Sequence, residues 1–271
     1  MLKIIVGCAG WSYNDWIGPF YPKTLKKDHF LSYYAKFFDF TEINSTFYNL
    51  PAENVVRQWM SSTPESFRFS VKVWQKITHE KGGTQKSALI ESFFTRLEVL
   101  EPKIRGYLLQ FPPRFKYSEA NYKYLTKILE EIPTEKPLFL EFRDIAWFDP
   151  EILTTFIDGS HVVLVTNYKE GVQPIYLPNQ STYYIRLVGD RELTEFNRIQ
   201  RAQDQILEEV KRKLNSFERS PEVHEALVNF NNHFRGFSPQ DANEFKRNMR
   251  LPYHEIKMQR TLTDFMSKKV A

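Results

Sequence analysis

Two glutamates, a lysine and two arginines sit near the downstream ends of short apolar runs, where they could support acid–base chemistry or bind an anion. The runs are KIIVGCAG from Lys3, FTEINSTF from Phe40, FRFSVKVW from Phe67, GYLLQFP from Gly106, PLFLEFRD from Pro137, HVVLVTN from His161, TYYIRLVGD from Thr182 and EALVNFNNH from Glu225. Alternate side chains of a strand point to opposite faces. Glu42 and Asn44 therefore share one face, as do Ser70, Lys72 and Trp74, Leu108 and Gln110, Glu141 and Arg143, Tyr184 and Arg186, and Asn229, Asn231 and His233. The other face reads Val71, Val73, Leu109, Phe111, Leu140, Phe142, Ile185, Leu187, Val228 and Phe230. Strands of this kind want helices over the apolar face and gather polar groups at the other. That predicts a single TIM (β/α)8 barrel with an equipped mouth.

The elements between the runs fit that plan. Helical spacing appears over 24–38, 52–62, 85–100, 118–131 and after Asp149-Pro150, and Ser238-Pro239 opens a last helix near 239–249. A long charged stretch, 191–217, follows the seventh run. The crossover between strands 6 and 7 breaks the pattern: residues 168–181, with Gly171, Pro174 and Pro178, predict an irregular loop. The 271 residues read as one barrel domain, with a polar, basic tail over 251–271 whose order the sequence does not fix.

Seven blocks carry a family resemblance: GCAGWSYNDWIGPFYP at 7–22, EINSTFYNLP at 42–51, FRFSVKV at 67–73, LLQFPPRF at 108–115, EFRDIAWF at 141–148, YYIRLVG at 183–189 and FNNHFRGFSPQDA at 230–242. In this order they resemble the YecE-like family (domain of unknown function 72), across nearly the whole chain. The resemblance implies a TIM barrel with its site at the strand ends, and it brings no established reaction. The chain departs from the family pattern at Asp144, where a His is common, and at Asn167, where an acidic residue is frequent.

Active sites of such barrels lie at the C-terminal ends of the strands. The candidate set is Trp11, Glu42, Asn44, Tyr48, Lys72, Gln110, Glu141, Arg143, Asn167, Arg186, Asn231 and His233. Glu42 and Glu141, on strands two and five, can act as acid and base or as nucleophile and acid if their environments separate their pKa values. The competing readings are a salt-bridge network with Lys72, Arg143 and Arg186, and ligand binding without chemistry. Two carboxylates against those three cations leave the mouth near +1, which favours an anionic ligand held by the arginine forks. Trp11, Tyr13, Trp16, Tyr21, Tyr48 and Trp147 suggest an aromatic rim for sugars or nucleobases, with Trp16 and Phe20 expected instead to plug the barrel top. Of Asn231 and Asn232, only Asn231 is expected to look inward.

Cofactor signals are weak. The six histidines make no HxH or HxxxH pair, so no metal site is expected, although one Mg²⁺ on Glu42 or Glu141 stays open. Neither a Walker A loop nor GxGxxG is found, and no cofactor is expected. Cys8, the sole cysteine, reads as a small buried apolar residue. No apolar run reaches the roughly 18 residues that span a membrane, and the N-terminus is already strand one, so the expectation is a cytoplasmic protein. A net charge of +4 is too small to imply nucleic acid by itself. Two function classes remain: a metal-independent hydrolase or isomerase acting on a small polar, anionic or sugar-like substrate, and a nucleic-acid or nucleotide-binding protein with a basic, aromatic-rimmed groove. The oligomeric state is not legible.

Overall fold

Each apolar run forms a strand in the computed structural model, which describes residues 2–80 and 86–256. The strands are β1 (Lys3–Cys8), β2 (Phe40–Ile43), β3 (Arg68–Lys72), β4 (Ile104–Gln110), β5 (Leu138–Glu141), β6 (Val162–Lys169), β7 (Thr182–Gly189) and β8 (Glu225–Phe230). All neighbours pair in parallel, and the ring closes in sequence order as β8 returns to β1. Closure leaves no strand edge exposed. The barrel interior is filled by Ile5, Phe40, Leu108, Phe139, Val163, Val165, Tyr184 and Leu227, all buried. Gly7 and Gly106 make room for two of those rings. A Cβ on Gly7 would fall 2.0 Å from the Phe40 carbonyl, and one on Gly106 would fall 2.3 Å from the Phe139 ring.

The outer layer holds α1 (Phe30–Tyr34), α2 (Ser45–Tyr48), α3 (Glu53–Ser61), α4 (Gln75–Thr78), α5 (Lys86–Leu97), α6 (Glu119–Glu131), α7 (Pro150–Leu153), α8 (Asp204–Phe217), α9 (Asn232–Arg235) and α10 (Ser238–Asn248). The caps follow from sequence: Ser118 accepts from the Asn121 amide at the start of α6, and Asp149 accepts from the Glu151 amide beside Pro150. The helix expected over 24–38 is shorter. Only Phe30–Tyr34 is α-helical, and the chain then continues in tight turns, with the Phe37 and Phe38 amides both donating to the Tyr34 carbonyl. Those turns let Phe20, Tyr33, Phe37 and Phe38 close on one another as an aromatic cluster. The β6–β7 crossover is irregular as expected, without a helix. After β7 the charged stretch is irregular up to Gln203, and α8 begins at Asp204. The basic tail expected over 251–271 is described only as far as Ile256, and the rest of that expectation lies outside the described residues.

Candidate functional site

Parity carries Glu42, Ser70, Lys72, Gln110, Glu141 and Arg186 to the inner face, together with Tyr184, whose ring belongs to the apolar plug. Arg186 of β7 is the hub. Its Nε donates to Glu42 Oε2 at 2.9 Å and its Nη2 to Glu42 Oε1 at 2.6 Å, while Nη1 pairs with Glu141 Oε2. The Tyr184 hydroxyl donates to the same Glu42 Oε2 and lies 2.8 Å from Ser70 Oγ. Arg143 closes the chain on Glu141 Oε1. Glu42 and Glu141 are 0% and 1% exposed, so neither charge could persist without these partners.

Lys72 stands beside this chain, without a paired carboxylate among the described residues. Its Nζ donates to Gln110 Oε1 at 2.8 Å, and the same oxygen accepts from Arg143 Nη2 at 3.2 Å. The ammonium also lies 4.0 Å from the centre of the Phe47 ring. That ring is set by α2, which Thr46 ties to β3 by donating its hydroxyl to the Lys72 carbonyl at 2.7 Å.

These contacts fix the proton affinities. Burial, then Arg186, lower the Lys72 ammonium to about 8 against the opposing pull of Glu141 and Glu42. Burial alone would raise Glu141, but Arg143, Arg186 and Lys72 together outweigh it and hold the carboxyl at about 2. Arg186 stays charged because Glu141 and Glu42 more than compensate for its burial. Tyr184 is pushed up by burial and by Glu42, so it remains a phenol and a donor. Both glutamates are already occupied by guanidinium groups. Among the described residues, no three His, Cys, Asp or Glu side chains converge as a metal site would require.

The other expected residues divide. Asn167 lies on β6 opposite Arg186, 3% exposed, and neither end of its amide has a hydrogen-bond partner among the described residues. Asn44 is half-buried at the start of α2, where its carbonyl accepts the Phe47 amide at 3.1 Å. The Asn231 side chain caps α9, accepting from the His233 amide at 3.0 Å. Asn232 turns outward instead: its buried Oδ1 accepts from Trp16 Nε1 at 3.2 Å and from the Ser238 amide and hydroxyl at 3.1 and 2.8 Å. His233 packs edge-on against Phe196 from the loop after β7. Burial, then Arg191 and Arg201, disfavour its protonation.

The aromatic rim is largely dismantled. Trp11 packs edge-on against Trp59 of α3 and Phe69, on the helix side of β3. Trp16 and Tyr21 are 0% exposed in the layer between β1 and α1, so Trp16 and Phe20 fill that layer rather than plugging the barrel top. Trp147 stacks on Phe115 and Phe142 under the helices, with its Nε1 donating to the Phe115 carbonyl at 2.6 Å. Burying these rings is worth more than presenting them to water. Tyr48 is 61% exposed, and Trp11 and Tyr13 are half-buried.

Several residues of the site lie outside the candidate set, although the faces of Ser70, Tyr184 and Asn229 are read from the sequence. Ser70 and Tyr184 share the correct parity, and Asn229 sits on β8 beside Arg186. Lys169 follows Asn167 by two positions on β6, beyond a register irregularity at Tyr168 that parity does not anticipate. Arg191 could not be found that way, because it stands exposed on a left-handed backbone (φ +75°) in the loop after β7.

A parallel eight-stranded barrel with an ion-pair chain at the C-terminal end of its strands is the class this geometry defines. The model of the family "Protein of unknown function DUF72" matches residues 5–264, and the chain belongs to that family. Among curated relatives, the chain is 33% identical over 153 residues to "UPF0759 protein YunF" of Bacillus subtilis, covering 54% of this chain and 53% of the relative. It is 31% identical over 145 residues to "UPF0759 protein YecE" of Escherichia coli K12, covering 54% and 50%. The chain thus spans about half the length of the curated relatives it matches. A DUF72 family protein from Thermotoga maritima has a similar crystal structure, with TM-score 0.76 and 28% identity over 92% of this chain and 99% of that one. A DUF72 protein from Enterococcus faecalis shares the fold at TM-score 0.74 and 20% identity, over 96% of this chain and 100% of that one.

Proposed function

We propose that this protein is a metal-independent cytoplasmic enzyme of the hydrolase or isomerase type. Its substrate is a small polar molecule, anionic or sugar-like, bound at the C-terminal mouth of the barrel. The observation that carries this reading is Lys72: a buried ammonium brought to about 8, beside a carboxylate held at about 2. A lysine tuned close to neutrality can give up and recover a proton in one turnover, and such tuning concentrates at functional sites. Lys72 is the proton carrier in this reading. Glu42 and Glu141, expected from sequence as the acid and base, provide the counter-charge that holds Arg186 and Arg143 toward an incoming anion. Gln110 links Lys72 to Arg143 and fixes both heads.

The test is a thermal-shift screen of small carboxylates, phosphate esters and sugars, followed by assay of the hits as substrates. Wild-type turnover should change with an apparent pKa near 8. Lys72→Met should keep the fold and lose at least 100-fold in kcat, within the range general acid–base groups contribute. Hits that bind and turn over equally in Lys72→Met and Glu141→Gln would refute the reading. The second class, a nucleotide or nucleic-acid ligand, is favoured by the exposed Tyr48 ring alone. Saturable, salt-sensitive binding of a short single-stranded oligonucleotide, lost in Tyr48→Ala, would select it.

A further inference from the structure

On the β5–β6–β7 side of the mouth, Arg143, Lys169 and an exposed Arg191 lie at the downstream ends of three adjacent strands, and Asn167 of the middle strand is a buried amide with no hydrogen-bond partner among the described residues. Val163, Val165 and Asn167 share the inner face of β6, the first two inside the apolar plug and Asn167 above them; Lys169 follows a register irregularity, half-buried, with its Nζ donating to the Glu170 carbonyl at 3.2 Å. Lys169 pairs in register with Gly189, and the turn after it carries Arg191. That turn is locked. Asp190 accepts from the Glu192 amide at 2.9 Å and pairs with Arg201, and Gly189 lies against the His233 backbone, where a Cβ would fall 2.2 Å from its carbonyl oxygen. A rigid turn with a non-glycine residue at φ +75° costs conformational energy, which points to a purpose for the side chain it presents.

Charge is in surplus here. Lys72, Arg143, Lys169, Arg186 and Arg191 oppose Glu42, Glu141 and Glu170, five cations against three carboxylates and therefore a net +2. Burial, then Arg143 and Arg191, disfavour the Lys169 ammonium, so the three heads feel one another. Among the described residues, Arg143 has a buried Nε with no acceptor, and Asn167 offers an unused donor and an unused acceptor. Like charges gathered around open donors are stabilised by a multiply charged anion. An amide with both ends free matches a hydroxyl, which donates and accepts.

Building on the enzyme reading above, we infer that the ligand is a phosphate monoester of a small polyol: Arg143, Lys169 and Arg191 hold the phosphate, and Asn167 holds a neighbouring hydroxyl. The phosphate then sits on the β6–β7 side, and its carbon chain runs toward Lys72.

Isothermal titration at constant ionic strength with inorganic phosphate, glycerol 3-phosphate and glycerol tests this. The wild type should bind both phosphates and not glycerol, with glycerol 3-phosphate the tighter. Arg191→Gln and Lys169→Gln should each weaken phosphate at least tenfold, the second from a strand that does not depend on the loop. Asn167→Leu should leave inorganic phosphate within twofold and erase the preference for glycerol 3-phosphate. Unchanged phosphate affinity in both charge variants overturns the inference, and so does a wild type that binds carboxylates or neutral sugars but no phosphate. In that last case the enzyme reading survives. A nucleoside monophosphate binding more than tenfold tighter than glycerol 3-phosphate overturns the polyol assignment. If phosphate behaves as expected while Lys72→Met retains full turnover, the subsite stands and the role of Lys72 falls.

Discussion

Arg186 meets Glu42 edge to edge, with Nε 2.9 Å from Oε2 and Nη2 2.6 Å from Oε1. The two residues come from β7 and β2, which β8 and β1 separate in the closed ring, so the pair crosses the barrel. Desolvating both ions offsets much of their attraction, but removing one partner strands the other. Glu42→Gln should therefore destabilise the fold by about 3–5 kcal/mol in urea unfolding. The double variant Glu42→Leu, Arg186→Met should lose less than the single. A cost below about 1 kcal/mol for Glu42→Gln would mean that Glu141 alone satisfies Arg186.

Lys72 gives the stability a pH signature. Its ammonium is lowered from 10.5 to about 8 in the fold, so between those values the unfolded chain holds the proton and the folded one has released it. With more protons bound to the unfolded state, stability from this group rises with pH across that window. The melting temperature of wild type, relative to Lys72→Met, should climb from about pH 8 to about pH 10.5. A flat difference would show that the lysine is not desolvated.

His79 behaves in the acid range. Burial first, then Lys72 and Arg114, lower its imidazole from 6.5 to about 4. The unfolded chain therefore takes up this proton first as pH falls, and stability from this group is lost between about 6.5 and 4. An NMR titration should find the His79 ring neutral at pH 6. Titration near 6.5 would contradict the burial.

Asn232 is a structural joint, and its removal should show as one. The Asn232→Ala change leaves Trp16 Nε1 and the Ser238 amide and hydroxyl without their acceptor. A loss of at least about 1–3 kcal/mol is expected, with a shift in tryptophan emission as water reaches Trp16. Wild-type stability in this variant would mean that α9 and α10 supply other partners.

Period-two alternation made the barrel legible, because a buried strand exposes its two faces in the order of its residues. It also brought Glu42, Lys72, Glu141, Arg143 and Arg186 to one mouth, since each sits in phase with the apolar plug below it. Alternation says nothing about which partner a side chain takes. Lys72 settling on Gln110 rather than on a glutamate depends on three-dimensional distances that no spacing encodes. The aromatic residues misled for a related reason: the chain leaves the strand at Gly10 with φ +91°, and Trp11 swings into the helix layer. Arg191 is hidden the same way, placed by a left-handed turn rather than by a period.

The Arg186 head ties β2, β5 and β7 together above an aromatic floor of Phe40, Phe139 and Tyr184. A hoop braced across its own diameter resists flexing, so the mouth has its working shape before anything enters it. In the proposed reading, molecules of the wrong outline would be turned away by poor fit and not by a failure to trigger closure. The floor also closes the barrel beneath the mouth, so in the proposed reading substrate and product share one passage.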